Sequence, residues 1–533
     1  MFSEKRPLFM QPAPALLWTG TIALGFYAAL AGLPILFTAG PSSQQVYWFE
    51  GLVAAVLASL AGLIFSLAKF SENSRRSSRE LQIILAFAVI FRLLLLPQLP
   101  WLSNDIYRYG WDAHLLQSGV NPYLYPPEAP QLEALREAEN YPHLSHKYVP
   151  TVYPPLLQLL FWAGKNLGEH CGLAGMIGIK SLFVLFDLLL VIALFKILPQ
   201  FHLDPRWALL YAWHPLAIIE IAGSGHSDGV GVLFMLLALA ALHKNCVRLG
   251  SVFLALAFLV KFISILLLPF LFLIKTRRKK IWQALTLFVL IVLASYAPFL
   301  TAGNNLISGL LIYSAKWRFN DGIFPLLFTP LHALLPDRLV VALMIPPDWE
   351  MTAQVLATRR TDLALLITKT IMAALFSCWY AYVWLRAKKI YAANHVMPWP
   401  LITLTLFTAF FLLSPTLQPW YLLWILPLLC LTIPAAILTF VPHQTENRQS
   451  GLAATAPSIL PQKYGARLWL FLTLLTGAVF WSYWILVDYF RSGIWEEQGW
   501  IKWMEYGAPL LLSFCAFPMR SKNLSGFPST PER

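Results

Sequence analysis

The sequence has little charge for its length. Of its 533 residues only 12% are Asp, Glu, Lys or Arg, whereas 58% are hydrophobic, and the mean hydropathy is +0.62. A soluble chain of this size would need polar surface for several domains, and the sequence does not supply it. The apolar residues form continuous runs rather than alternating strands of about ten residues, which argues against an outer-membrane barrel. We therefore predict an all-α, polytopic integral membrane protein.

Cysteine is also scarce, and the excess of basic residues is dispersed. The five cysteines are scattered and form no CxxC pair, which indicates packed thiols rather than a disulfide framework or a zinc site. The net charge of +13 comes from short basic clusters between apolar runs. Such clusters orient membrane helices, so we expect no nucleic-acid partner.

Fourteen apolar runs predict about 14 transmembrane helices. They cover 15–39, 46–70, 81–97, 154–170, 173–198, 205–222, 228–243, 250–274, 281–300, 363–385, 398–414, 420–440, 468–490 and 504–519. Basic clusters favour the cytoplasmic side. With fourteen crossings, the clusters at 5–6, 75–79, 275–280, 386–389 and 520–522 all lie on that side. Both termini are then cytoplasmic.

This threading divides the chain into six parts. The predicted parts are 1–80, two N-terminal helices and a basic cytoplasmic loop; 81–300, a core with a first outer loop at 98–153; 301–362, a second outer loop with interfacial helices; 363–440, helices that complete the core; 441–467, a cytoplasmic linker; and 468–533, the C-terminal helices and tail. Prolines interrupt 323–345, so we expect this stretch to be interfacial or re-entrant rather than a span.

The first outer loop contains a short polar motif, NDIYRYGWD. Ser103 or Asn104 can cap a helix that begins at Asp105. Helical spacing then places Asp105, Arg108 and Asp112 on one face. On spacing alone, an exposed ion pair within an interfacial aromatic belt is the simpler interpretation of this acid–base–acid stripe.

A resemblance to a known family changes that interpretation. NDIYRYGWD, followed by GVNPYLYPPEAPQLEALR and TVYPPLLQLLF, looks like the first-loop signature of bacterial GT-C membrane glycosyltransferases, in the polyprenol-phosphate-mannose-dependent mannosyltransferase-like branch. WHPLAIIEIAGSGHSDGVGVLF, LAFLVKFISILLLP, KWRFNDGIF and LLSPTLQPWYLLWILP resemble the same branch in the same order. The resemblance implies a helical membrane core, an outer-face active site, a polyprenyl-phosphate sugar donor, a glycan or lipid acceptor, and an aspartate base that maps to Asp105.

The chemistry of such a donor indicates which other residues matter. A polyprenyl phosphate leaves as a stable anion, since the second pKa of a phosphate is about 6. One carboxylate base and cationic stabilisation of the phosphate therefore replace the two carboxylates of a glycosidase. The candidates for the donor phosphate are Arg108, His146, Lys147, Lys261 and Arg318. The candidates for the acceptor or sugar are Asp112, Tyr109, Trp317, Asn320, Asp321, Gln418 and Trp420, with His226 and Asp228 as further possible site residues.

Several of these residues have a second interpretation. Lys261 is predicted in mid-span, where it either holds the donor phosphate or pairs with a core acid such as Asp187. Glu220, His226 and Asp228 flank a glycine-rich break at 223–229, which helix parity places towards the cytoplasm although a role in catalysis would need it outside. The sequence leaves that conflict open, and a polar helix junction capped by Asp228 is an equal alternative. Trp420 suits an interfacial belt as well as sugar stacking.

We accordingly predict a GT-C-type glycosyltransferase in a bacterial inner membrane, with its active site on the outer face and membrane lipids around it. It would transfer a hexose, with mannose favoured, from a polyprenyl phosphate. No His/carboxylate ligand set is visible, so we predict no metal and no cofactor besides the lipid-linked donor. Two alternatives stay open. One is a transferase of another lipid-linked sugar, and the other is a secondary transporter, which would place polar breaks at mid-membrane in both halves.

Overall fold

The computed structural model describes residues 12–37, 42–70, 78–137, 139–433 and 462–516. Within these ranges the chain is helical without a β-strand, and an isolated bridge pairs Phe319 with Thr416. The basic clusters at 5–6 and 520–522, residues 75–77, and the part of the predicted linker at 441–461 lie outside the described residues.

Six α-helices are described up to residue 197. They are α1 Pro12–Leu36, α2 Ser43–Phe70, α3 Ser78–Leu95, α4 Asp105–Gln117, α5 Pro155–His170 and α6 Gly175–Ile197. Short helical pieces follow between 198 and 223. The later α-helices of eight or more residues are Asp228–His243, Val247–Phe258, Arg278–Tyr296, Ser308–Lys316, Phe324–Leu334, Asp337–Met344, Ala353–Asn394, Trp399–Leu413, Gln462–Ala478, Ile485–Ser492 and Ala508–Ala516, with long 3₁₀ helices at Phe262–Leu273 and Ala297–Ile307 and a shorter one at Pro419–Trp424.

The apolar helices identify a membrane protein. In the described part of the chain, six helical stretches are long and apolar enough to cross a membrane, or seven if the bent pair discussed below is one span. They are Ala13–Leu36, Ser43–Ile64, Gly175–Phe201, Arg278–Lys316, Ala353–Asn394 and Gly465–Ser492. Five further apolar helices have only 10–17 residues, less than the roughly 20 that a bilayer requires. The predicted count of about 14 spans is not confirmed.

Three contacts show that α3 and α6 run antiparallel. Lys180, near the start of α6, donates to the carbonyl of Gln98, just after α3, at 2.7 Å. Arg206, after α6, contacts Glu80 at the start of α3 at 3.1 Å. Halfway along, Arg92 pairs with Asp187, and both side chains are fully buried. We call the end of the bundle at Gln98 and Lys180 the site end.

The antiparallel arrangement corrects the predicted span at 154–170. Because the chain leaves α3 and enters α6 at the same end, α5 cannot be the single crossing between them. It packs against α4 and α6, and glycines let it approach α6 closely: a Cβ on Gly178 would lie 2.6 Å from Cα of Gly168. The 154–170 run is apolar on one face only, with Lys165, Asn166 and Glu169 near its end. That pattern fits a helix that lies on the bundle.

The predicted span at 250–274 is also wrong as a single crossing. Lys261 is extended and separates helix Val247–Phe258 from the 3₁₀ helix Phe262–Leu273. The chain doubles back there, since the hydroxyl of Ser264 donates to the carbonyl of Leu254 at 3.1 Å. Lys261 is therefore at a turn, not in mid-span. The first correction removes one crossing and the second adds one, so the total number of crossings before residue 275 is unchanged. The basic residues at 275–280 therefore stay at the end opposite the site end.

The stretch predicted to be broken at 323–345 is broken. It forms helices Phe324–Leu334 and Asp337–Met344, which are bent by 100° around Pro336. Both pack against the beginning of the long helix Ala353–Asn394. Proline restricts the residue before it to extended conformations, which explains why the first helix ends at Leu334.

Candidate active site

Helix α4 brings Asp105 to the site end, and the helix begins at that residue as predicted. The predicted cap is only partly right. The hydroxyl of Ser103 accepts the Asp105 backbone N–H at 3.3 Å. The side chain of Asn104 does not cap the helix and donates instead to the hydroxyl of Ser145 at 2.5 Å. Asn104 thus ties the start of α4 to the later part of the first loop.

Arg108 and Asp112 anchor α4 rather than form an exposed stripe. Arg108 donates to Asp112 at 2.9 Å and to the carbonyl of Val149 at 2.9 Å. Asp112 is completely buried and also accepts from Thr151 at 2.5 Å and from Gln158 at 3.0 Å. A carboxylate with three donors around it has little capacity left for an acceptor sugar. The geometry therefore gives Asp112 a positioning role, which differs from its predicted acceptor contact.

The turn at 223–228 lies beside α4, which resolves the side that the sequence left open. Gly225 has a left-handed φ of 81°, and a Cβ there would lie 3.0 Å from Ile106. The glycine lets the turn approach α4 closely, and His226 then faces Asp105, with Nδ1 3.8 Å from Oδ2. On its other side, Nε2 of His226 lies 3.4 Å from Oε2 of Glu220. Helix parity gave the wrong side because it counted α5 as a crossing.

A second group of residues surrounds Lys261 next to this turn. The ammonium of Lys261 contacts Asp228 at 2.5 Å, which corrects the suggested pairing with Asp187. Asp228 also accepts from the indole N–H of Trp424 at 2.7 Å. Lys261 lies 3.5 Å from the ring centroid of Tyr421, a cation–π geometry. Only about a quarter of the Lys261 side chain is exposed, so its charge acts in a partly desolvated place.

Aromatic rings enclose the same region. Trp420 stacks on His226 with ring centroids 3.6 Å apart. The hydroxyls of Tyr421 and Tyr313 are 2.7 Å apart, and Tyr313 packs against Trp317, 5.1 Å between centroids. Flat aromatic faces beside a carboxylate suit the apolar face of a sugar ring. The second loop therefore reaches the site end through Tyr313 and Trp317.

Asp105 has the electrostatic environment of a base. The pKa of Asp105 is raised to about 6: burial of the carboxyl is the largest cause and the nearby charge of Asp228 adds to it, while Lys261 and Arg108 act in the opposite direction. About a third of the side chain is still exposed, so a substrate can reach it. A carboxylate with a pKa near the working pH is well suited to general base catalysis.

Some predicted residues lie elsewhere. Arg318 contacts Asp321 at 2.6 Å, and Asp321 also binds Lys502. Asn320 donates to the buried carboxyl of Glu505 at 2.5 Å. The contacts of Asp321 and Asn320 fasten the second loop to the C-terminal segment 497–506, and together with the Arg318–Asp321 pair they give these three residues of KWRFNDG structural partners. The structure does not bring Arg318, Asn320 or Asp321 to Asp105.

The remaining predicted residues lie at the edge of the site or have packing contacts. Lys147 lies 4.7 Å from the ring of Tyr141 and faces the outer part of the first loop. Tyr109 is buried and stacks on Phe161 at 4.4 Å, which gives it a packing role. His146 is exposed and contacts the ring of Trp317 at 4.5 Å, at the edge of the site. Gln418 is half-buried at the start of the 3₁₀ helix Pro419–Trp424.

Sequence reasoning left several site residues out of the predicted set. Glu220, Tyr313, Tyr421 and Trp424 all contact a predicted residue. Glu220 is one of the residues named beside the glycine-rich break, and Tyr421 follows Trp420 in a motif that the sequence singled out, so both had a signal in the sequence. Among the described residues, no group of three or more His, Cys, Asp or Glu side chains is arranged to hold a metal ion.

The comparisons with known proteins agree with this geometry. Residues 16–277, just under half of the chain, match the family described as alpha-(1->6)-mannopyranosyltransferase, N-terminal domain. This match supports a glycosyltransferase. The matched part of the glycosyltransferase contains Asp105, His226, Asp228 and Lys261, whereas Tyr313 and Tyr421 lie beyond it. No curated protein matches the chain.

Lys261 provides a first test of the site. We expect Lys261→Gln to weaken use of a lipid-phosphate donor by about 10- to 100-fold in kcat/KM, because a charge-assisted contact in a desolvated place is worth about 1.5–3 kcal/mol. Donor titrations of the purified variant measure this. Lys244→Gln is a matched control, since Lys244 is exposed at the opposite end of helix Asp228–His243. Equal donor use by the two variants would leave Lys261 with a structural role.

The pKa of Asp105 gives a second test. With a pKa of about 6, the ionised base is lost as the pH falls through that value, so kcat/KM should be level above about pH 7 and drop about tenfold per unit below pH 5. In Lys261→Gln a neighbouring cation that lowers this pKa is gone, so the acid limb should move to higher pH. A limb near pH 4 in both proteins, as for an ordinary exposed carboxylate, would contradict this assignment.

Proposed function

We propose that the chain is a GT-C-type mannosyltransferase that takes mannose from a polyprenyl-phosphate donor, with Asp105 as general base. The observation that carries the proposal is the group of residues around Asp105, where a carboxylate with raised pKa lies near Lys261, Trp420 and Tyr421. The family match supports mannose as the sugar. The lipid donor is supported by the apolar helices that carry these residues and by the cation Lys261.

Asp105 and Lys261 have different roles in the reaction. Asp105 removes the proton of an acceptor hydroxyl, whose oxygen attacks the anomeric carbon of the donor sugar. The bond from that carbon to the phosphate oxygen breaks, and the electron pair stays on the phosphate. Lys261 is the cation placed to stabilise that charge, and Asp228 and Tyr421 hold its ammonium in position. Because the phosphate leaves as an anion, the site needs no second carboxyl as an acid.

A transfer assay tests the donor and the acceptor together. Purified full-length protein is incubated with polyprenyl-phospho-mannose and with mannooligosaccharides, since the family name suggests a 1,6 linkage. We expect transfer to a primary hydroxyl and none from a nucleotide-linked mannose. Transfer from polyprenyl-phospho-glucose or -arabinose but not from the mannose donor would favour the alternative sugar. Energised solute uptake without sugar transfer would favour a transporter.

The face of the membrane is a separate prediction. In a background without the native cysteines, Pro130→Cys and Arg278→Cys place a thiol at opposite ends of the bundle, and both positions are exposed. If the site faces outwards, a membrane-impermeant thiol reagent added to intact cells should label position 130 and not position 278, because the basic 275–280 cluster stays inside. The reverse labelling would place the active site on the cytoplasmic face.

A further inference from the structure

His226 lies between two carboxyl groups in an unusual state. Its side chain is completely buried, and neither ring nitrogen has a hydrogen-bond partner among the described residues. The nitrogens lie 3.8 Å from Asp105 and 3.4 Å from Oε2 of Glu220, an oxygen that also has no hydrogen-bond partner there. Buried polar atoms without partners cost free energy, and such atoms in a native site call for an explanation.

The surroundings of His226 fix the plane of its ring. Trp420 stacks on the imidazole at 3.6 Å with 15° between the planes. The other oxygen of Glu220 accepts a hydrogen bond from Tyr483 at 2.8 Å, which turns Oε2 towards His226. The backbone N–H of His226 donates to the carbonyl of Glu220 at 2.8 Å. The ring can therefore shift within its plane towards either carboxyl group, but it cannot turn away from the two.

We propose that His226 relays the acceptor proton from Asp105 to Glu220, and this rests on the proposed function. The acceptor proton first moves to Oδ2 of Asp105 as the glycosidic bond forms and the bond to phosphate breaks. Asp105 then gives the proton to Nδ1 of His226, while Nε2–H gives its own proton to Oε2 of Glu220. Asp105 is a carboxylate again, His226 is neutral before and after, and Glu220 holds the proton.

A relay through the neutral ring suits the charges nearby. The charged or titratable groups that face His226 are Asp105 on α4, Glu220 on the preceding turn, Asp228 on the following helix, and Lys261 beyond Asp228. An imidazolium next to Lys261 would be repelled, whereas an exchange of tautomers adds no charge to the ring. The relay moves the proton away from the donor phosphate while the products form. After they leave, the proton returns from Glu220 through His226 to Asp105, whose side chain is about a third exposed, and passes to water, so all three groups regain their starting state. His226 thus acts through Asp105 as a positioning residue.

Chemical rescue of His226→Ala tests the relay. We expect kcat of the purified full-length variant to fall about 10- to 100-fold with little change in KM for the donor. This is less than the roughly 10²- to 10⁴-fold contribution of a base that acts directly, because Asp105 is still present and can lose its proton to water. Added imidazole, which can accept a proton at one nitrogen and release it from the other, should restore much of kcat. Added 1-methylimidazole fills the same space but has one nitrogen blocked, so it should not. Equal rescue by both compounds, or a normal kcat without rescue, would overturn the relay.

Two further variants separate the relay from packing. His214→Ala removes another buried histidine, whose ring accepts the Leu216 N–H at 3.2 Å and lies 3.3 Å from the hydroxyl of Thr476; imidazole and 1-methylimidazole should affect this variant equally. Glu220→Gln keeps the shape but cannot take the proton, so its kcat should fall and imidazole should not restore it. If His226→Ala does not fold, a normal kcat in Glu220→Gln overturns the relay by itself.

The variant Asp105→Asn distinguishes failure of the relay from failure of the proposed function. If Asp105→Asn is inactive while His226→Ala and Glu220→Gln turn over normally, the relay is wrong and the proposed base stands. If Asp105→Asn transfers sugar normally, the proposed base is wrong, and the relay fails with it.

Discussion

Asp105→Asn should reduce sugar transfer by about 10²- to 10⁴-fold, the usual cost of losing a positioned base. Asparagine keeps the size of the side chain and can still accept the hydrogen bonds of a helix start, but it cannot take a proton from a hydroxyl. Donor binding should persist, because Lys261 is unchanged. Turnover and donor affinity of the purified variant, measured separately, check both expectations.

Glu128→Gln is the matched control for that experiment. Glu128 is an exposed acid in the same loop, and its replacement removes one negative charge without touching α4. Asp112→Asn should behave differently again: it replaces one of the two oxygens that accept from Arg108 and Thr151 by an NH2 group, so it weakens the anchoring of α4 and should lower the yield of folded protein. Near-normal turnover in Asp105→Asn together with a folded but inactive Asp112→Asn would mean that the wrong aspartate has been named as base.

Arg92→Met should destabilise the protein by about 3–5 kcal/mol. Arg92 and Asp187 form a fully buried pair in the middle of α3 and α6, and removing one partner leaves the other charge buried without compensation. Asp187 would keep only the hydroxyl of Tyr211, at 2.5 Å. Thermal unfolding of the purified protein in detergent measures the loss.

The double variant Arg92→Met with Asp187→Asn identifies the cause. If the lone charge is responsible, the second change should recover a large part of the stability, so the two effects will be far from additive. Lys280→Met, at an exposed position, controls for the loss of one positive charge. Additive losses in the double variant would show that Arg92 acts mainly through its bonds to the carbonyls of Ala88 and Ala212.

The class of fold and the start of α4 were predictable because both follow from local pattern. Long apolar runs have few alternatives to membrane helices, and the polar residues around Asp105 follow the rules of helix starts. The bent pair in 323–345 was predictable for the same reason, since prolines act on their immediate neighbours.

The threading was harder because it depends on whether each apolar run crosses. The 250–274 run has the composition of a span, and α5 differs from a span only in its polar face. The contacts of Lys180 with Gln98 and of Ser264 with Leu254 show that neither is a single crossing. One wrong crossing moved His226 and Asp228 to the wrong side in the parity argument. Long-range partners were equally hard to predict. Asp187 pairs with Arg92, and Lys261 pairs with Asp228. No local pattern in the sequence shows which acid pairs with which base.

The second loop shows the limit of reasoning from residue type. Asn320 and Asp321 look like sugar ligands in sequence, yet they bind Glu505 and Lys502, about 180 positions further along the chain. Polar residues that fasten two segments together and polar residues that bind a sugar have the same composition. Only the position of the C-terminal segment separates the two cases.

The contact of Lys180 with Gln98 has a consequence for how such a protein can change. Because residues 99–174 leave the bundle and return to it at the same point, this segment is a closed excursion, and its length does not affect the direction of any helix that follows. Insertions, deletions or exchange of the part between Asn121 and Thr151 would leave the remaining helices threaded as before. This part of the first loop can therefore diversify while the helices that carry Asp228 and Lys261 keep their direction.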